Sequence, residues 1–130
     1  MTPRKKAIEL AKKVAKKRDN YICQKHGESC VGQMHGSHII PVGAGGIIAA
    51  DPDNIITLCA SAHKLAGDSW HEAPKEQDWF DIKFPGRYAR LKAKHENRPI
   101  KKYEWLEKVK ELTQQLKDMD WQILKGIYDT

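Results

Sequence analysis

Cysteine is scarce in this chain, with only Cys23, Cys30 and Cys59 among 130 residues. Three thiols cannot make a full disulfide framework, which favours free thiols or metal thiolates in a reducing compartment. No apolar stretch approaches the roughly 18 residues needed to cross a membrane. No apolar segment follows the basic N-terminus in the manner of a signal peptide. The expectation is a cytoplasmic protein, not secreted and with no membrane partner. Internal repeats and low-complexity tracts are also missing. With 40% apolar residues, the chain suits one compact domain over residues 1–130, and cores of that size often need a metal, disulfide or partner subunit as a staple.

Acidic residues are nearly absent from the first twenty positions, where Glu9 and Asp19 face eight Lys and Arg. The rest of the chain is electrically balanced, so the whole net charge of +6 sits on this one segment. Such a field suits a nucleic-acid backbone or another anionic surface, and Lys12, Lys13, Lys16 and Lys17 are its candidate contacts. It is equally the pattern of a solvated helix face.

The hydrophobic spacing predicts an α+β protein, mostly helical. A basic N-terminal helix occupies residues 1–19, with Ile8, Ala11 and Ala15 as a narrow apolar stripe. Over residues 21–72 glycines multiply and apolar runs shorten. Ser37–Ile40 reads as extended, since Pro41 disfavours helical dihedrals at Ile40. Residues 42–53 read as a glycine-rich loop, with Asp53 a turn former before Asn54. Ile55–Leu58 reads as a second strand, and Cys59–Ala66 as a short helix. A helical extension spans 74–98, broken at Pro85-Gly86. A long amphipathic helix spans 99–126, with Tyr103, Leu106, Val109, Leu112, Leu116, Met119 and Ile123 on its stripe and Trp105 and Trp121 off or beside it. It can fold back over the domain or pair with a copy of itself as a homodimer.

Within this frame lie His38 on the first strand, Asn54 at the start of the second, and His63 nine residues further on. Folding the hairpin brings both histidines towards one cleft. Phosphodiester hydrolysis needs a base for water and a cation for the charge developing on phosphate. An imidazole can serve in either role, and an asparagine amide can tie the loop to the His38 strand. Taken singly, each histidine reads as an ordinary polar residue beside a hairpin.

The order of matched elements is more specific. His38-Ile39, Pro41, Gly45-Gly46, Asn54-Ile55, Leu58-Cys59 and His63 together resemble the HNH endonuclease family, whose fold is a ββα-metal hairpin-helix core. The resemblance covers about 26 residues, or about 40 with the cysteine frame. It implies a DNA endonuclease with His38 as general base, Asn54 in a structural role and His63 binding the catalytic divalent ion, Mg²⁺ or Mn²⁺, with Ni²⁺ or Co²⁺ as substitutes. It also implies phage genome packaging or recombination as the setting, partner proteins of that kind, and the host-cell cytoplasm as the location.

The sequence departs from the family pattern in two places. Ser37 stands where a metal-ligating Asp or His precedes the base. His35 is the natural substitute ligand, but a regular strand puts residues 35 and 38 on opposite faces unless a bulge intervenes; His71 is a further candidate. The family's two Cys-x-x-Cys pairs are also incomplete here. Cys23, His26, Cys30 and Cys59 still supply three thiolates and an imidazole, a complement suited to tetrahedral structural Zn²⁺. Arg87 and Arg90, with Lys92 and Lys94, can line a phosphate track, or form the solvated side of a helix whose other side carries Tyr88 and Leu91. Two other readings stand beside the nuclease. One is a zinc-braced DNA-binding module without catalysis. The other is an adaptor that docks through its C-terminal helix.

Overall fold

The computed structural model describes residues 1–27, 32–60 and 78–128. Its centre is a two-stranded antiparallel hairpin of β1 (Met34–His38) and β2 (Ile55–Cys59), in unbroken register from Met34 opposite Cys59 to His38 opposite Ile55. Strand alternation sends β2 side chains to two separate cores. Ile55 joins Ala7, Ile8, Ala11, Ala15, Trp105 and Leu112 on one side. Ile56 and Leu58 join Cys23, Ile39, Phe80 and Leu91 on the other.

The first core is made by two helices. Helix α1 (Pro3–Arg18) is capped by the Thr2 hydroxyl, which accepts the Lys5 N–H, and buries its alanine-rich stripe. Small side chains on that stripe let α1 lie close to the hairpin. A β-carbon at Gly36 would come within 2.8 Å of the Lys12 stem, so only glycine fits there without displacing the helix. Helix α4 (Lys102–Tyr128) folds back on α1, with Trp105, Val109, Leu112, Leu116 and Met119 turned inward. Within the chain it takes the first of the two arrangements its periodicity allows, folding back over the domain. Helices α2 (Asp78–Lys83) and α3 (Arg87–Lys94) cover the second core through Phe80 and Leu91.

The extended segment begins earlier than the sequence suggests, at Met34 rather than Ser37. Pairing with the strongly β-forming Ile55–Cys59 imposes strand geometry on Met34-His35-Gly36, which have little propensity of their own. Ile39 still bonds the Asn54 backbone carbonyl at 2.8 Å, and Ile40 leaves the ladder because the Asn54 side chain takes up both of its backbone groups. The glycine-rich loop is three 3₁₀ turns, Val42–Ala44, Ile47–Ala50 and Pro52–Asn54. The last is capped by Asp51, whose carboxylate accepts the Asp53 N–H at 2.9 Å, and Asp53 lies within the turn just before Asn54. Of the helix expected over Cys59–Ala66, Cys59 is instead the last residue of β2, paired with Met34, and residues 61–66 lie outside the described residues, as do the opening of the helix expected at Pro74, Cys30, His63 and His71.

Candidate functional site

Two groups of sequence-predicted residues are brought together by the hairpin, one at each end. At the open end, Cys23, His26 and Cys59 place their ligand atoms within 4.8 Å of one another. The local cause is a tight turn. The Cys23 carbonyl accepts the Gly27 N–H at 2.8 Å, with Gly27 at φ 72°, and the Cys23 sulfur accepts the His26 N–H at 3.4 Å. The turn is fastened to β2 by the Gln24 N–H, which bonds the Thr57 carbonyl at 2.9 Å. His26 Nδ1 then lies 3.3 Å from Cys59 Sγ.

This donor set fits zinc. Metal–sulfur and metal–nitrogen bonds of about 2.3 and 2.0 Å in a tetrahedron separate neighbouring donors by roughly 3.5–3.8 Å, a spacing compatible with three donor atoms that all lie within 4.8 Å of one another. Both cysteines are buried and free of disulfides. Two thiolates and an imidazole supply soft donors, and a fourth would complete the shell. Cys30 follows the Gly27 turn by three residues in sequence and lies outside the described residues.

At the other end of the hairpin, His38 is 7% exposed, and its Nε2 donates to the Ala49 carbonyl at 2.7 Å. A carbonyl only accepts, so the proton of the neutral ring sits on Nε2 and Nδ1 becomes its basic nitrogen. Ala49 is held in place by Asn54, which is fully buried. The Asn54 carbonyl oxygen accepts the Ile40 N–H at 2.7 Å, while its amide donates to the carbonyls of Ile40 and Ile48 at 3.1 and 3.2 Å. The side chain thus ties the exit of β1 to the 3₁₀ turn that carries the imidazole's partner.

The glycine pair completes this frame. Gly45 and Gly46 have φ near 80°, and a β-carbon on Gly46 would lie 2.3 Å from the Glu96 carbonyl oxygen. The loop can therefore pack under residues 95–97 only with glycine at that position.

Other predicted residues fall elsewhere. The ladder runs without a bulge, so alternation does not bring His35 to the side of His38. Ser37 is 1% exposed, and its hydroxyl has no hydrogen-bond partner among the described residues. Arg87, expected on a phosphate track, is instead 7% exposed. Its guanidinium donates to the carbonyls of Asp53 and Ile55 and lies 4.9 Å from the Phe84 ring centroid. Burial, with the nearby Arg18 charge, lowers its pKa to about 10. Apolar neighbours had marked only its own helix as half-solvated, and nothing in the spacing shows that two backbone carbonyls await it. Arg90 is exposed but chelates Asp53 through contacts of 2.9–3.2 Å. Burial alone would raise the Asp53 pKa, but the Arg90 bond and the Arg87, Arg90 and Lys94 charges outweigh it and hold the carboxyl below its usual value.

Of the four candidate lysines of α1, Lys12 stands apart from the other three. Lys12 lies against Gly36 beside the hairpin and pairs with Glu9 at 3.6 Å, whereas Lys17 pairs with Asp120 of α4. Two residues that sequence reading passed over matter more to the frame. Arg18 donates to the carbonyls of Pro52 and Ile55 at 2.7 and 2.6 Å, and Asp19 accepts the Thr57 N–H at 3.0 Å. Their position at the end of a basic run was the one available signal.

Hairpin, flanking helices and cluster together define a small, mostly helical α+β domain with a His/Cys metal-binding site. No protein-family model, no curated protein and no solved structure matches the chain. No helix among the described residues is long and apolar enough to cross a membrane.

Proposed function

We propose that the protein is a metal-dependent DNA endonuclease in which His38 is the general base. The observation that carries this reading is the bond from His38 Nε2 to the Ala49 carbonyl, buttressed by Asn54. It orients an imidazole at the end of a strand with Nδ1 as the proton acceptor. In the proposed reaction, a water gives its proton to Nδ1 and its oxygen bonds to phosphorus. The bond from phosphorus to the 3′ oxygen breaks, the leaving oxygen takes a proton from solvent water, and the products carry a 5′ phosphate and a 3′ hydroxyl. A divalent cation such as Mg²⁺ or Mn²⁺ bound by His63 would supply positive charge to the phosphate and the leaving oxygen. Zinc, held by Cys23, His26, Cys59 and Cys30, would have a separate and structural role.

The test is cleavage of supercoiled plasmid in EDTA, Mg²⁺, Mn²⁺ and Ni²⁺, with His38→Ala beside the wild type. Cleavage is expected to require the cation and to fall by roughly 10²-fold or more in the variant, whose circular dichroism should be unchanged. A folded wild type that cuts under no ion, or a His38→Ala protein that cuts equally well, removes the proposal.

One observation favours a second reading, a DNA-binding module without catalysis. Ser37, where a ligand is expected, is buried with a hydroxyl unpartnered among the described residues, and the regular ladder turns His35 away from His38. Salt-dependent binding of DNA with no cutting would select this alternative.

A further inference from the structure

Helix α1 ends in two consecutive residues with left-handed backbone, Asn20 at φ 55° and Tyr21 at φ 57°. The first belongs to the helix stop. Tyr21 N–H bonds the Lys16 carbonyl at 2.9 Å and Asn20 N–H bonds the Lys17 carbonyl at 3.1 Å, a pairing that requires one residue of positive φ and no more. The second belongs to the tight turn that follows, in which the Ile22 N–H bonds the Asp19 carbonyl at 3.1 Å with φ positive at both central residues, a geometry that glycine or asparagine adopts at less cost than tyrosine. Burial of the ring does not explain a tyrosine at this position, because Tyr21 is 55% exposed.

Tyr21 stands at a recess of about 380 Å³ between α1 and α4, lined also by Lys13, Lys16, Lys17, Leu116 and Asp120. Asp120 pairs with Lys17, while Lys13 and Lys16 have no ion pair among the described residues, so the recess is positive. The recess between the glycine-rich segment and α4 differs, since its charges pair among themselves as Lys94 with Asp51 and Lys108 with Glu111.

We infer that the α1–α4 recess binds single-stranded nucleic acid, with the Tyr21 ring stacking on an unpaired base and Lys13 and Lys16 meeting the flanking phosphates. Base-on-ring stacking beside a basic groove is the general means of holding a single strand without reading its sequence. Bases in a duplex are already stacked on one another and offer no free face to the ring. An acidic peptide would satisfy the lysines but gives no reason to hold an aromatic ring outward at a backbone cost. The inference does not rest on the nuclease reading, because the recess shares no residue with His38 or its supports.

Fluorescence anisotropy of the full chain with labelled oligo(dT), with a matched duplex, and with polyglutamate as competitor tests it. Oligo(dT) is expected to bind, Tyr21→Gly to weaken it about tenfold, and Tyr21→Phe to bind like the wild type. A Lys13→Glu, Lys16→Glu double variant is expected to bind weakly and with a shallower salt dependence. Glycine relieves the left-handed strain, so Tyr21→Gly should melt no lower than the wild type, separating lost binding from lost folding. Failure of the wild type to bind oligo(dT), or an undiminished affinity in Tyr21→Gly, overturns the inference. Displacement of oligo(dT) by polyglutamate that binds wild type and Tyr21→Gly alike would assign the recess to an acidic peptide instead.

Discussion

Asn54 shows how one buried amide organises a site. It makes three hydrogen bonds, to both backbone groups of Ile40 and to the Ile48 carbonyl, in a place water does not reach. Replacing it by alanine leaves those groups unsatisfied, and Asn54→Ala is expected to lose roughly 2–4 kcal/mol of stability, measured by urea unfolding. A loss below the scatter of such curves would remove Asn54 as the anchor of the loop. The two nearby glycine types separate by the same reasoning. Gly46→Ala puts a β-carbon 2.3 Å from a backbone oxygen at φ 81° and is expected to cost about 2 kcal/mol or more. At Gly43, where nothing lies within 4 Å and φ is not positive, alanine should be neutral or stabilise by up to about 1 kcal/mol. Equal effects at the two positions would show that close approach of residues 95–97 does not constrain the loop.

Among the elements, α4 illustrates a terminus set by side-chain chemistry. Glu104 accepts the Lys101 N–H at 2.9 Å and the Arg98 guanidinium at 2.7 and 3.1 Å, which closes the first turn. The Arg98 hydrogen bond, then the Lys101 N–H, lowers its pKa from 4.5 to about 2. A depressed carboxylate stabilises the fold above its unfolded pKa and loses that contribution as pH falls through the folded one. The advantage of wild type over Glu104→Gln should therefore be full above about pH 5 and decline towards pH 2, by thermal melting across that range. A difference independent of pH would mean that the cap acts by shape and not by charge. The long helix itself was legible from its period-3.6 stripe, but its partner was not. Any stripe of that kind fits a sister helix or a sheet, and here the alanines of α1 let it approach.

For the molecule as a whole, the Cys23, His26 and Cys59 cluster joins the segment after α1 to the end of β2. A metal there binds the folded state and not the open chain, so it stabilises folding by mass action. Zinc analysis of the purified protein is expected to give one ion per chain, and removal by a chelator at neutral pH should lower the melting temperature. Cys59→Ser should reduce both. Identical melting of the metal-loaded and chelated protein would sink the structural role.

Much of the arrangement was present in the order of residues. Periodicity located α1, α3 and α4, and the β-branched run at Ile55 located β2, because each reports a local preference of the backbone for one repeat. Cysteine and histidine spacing assembled three of the four expected zinc donors, since a short turn such as Cys23–Gly27 leaves few ways to arrange its ligands. What lay beyond the sequence was contact between distant segments. The Ala49 carbonyl that orients His38, the inward turn of Arg87, the division of the α1 lysines between hairpin and α4, and the basic recess beside Tyr21 all arise only when segments far apart in the chain pack together. Backbone carbonyls have no identity in a sequence, and an arginine's destination is decided by which acceptors packing leaves within its reach.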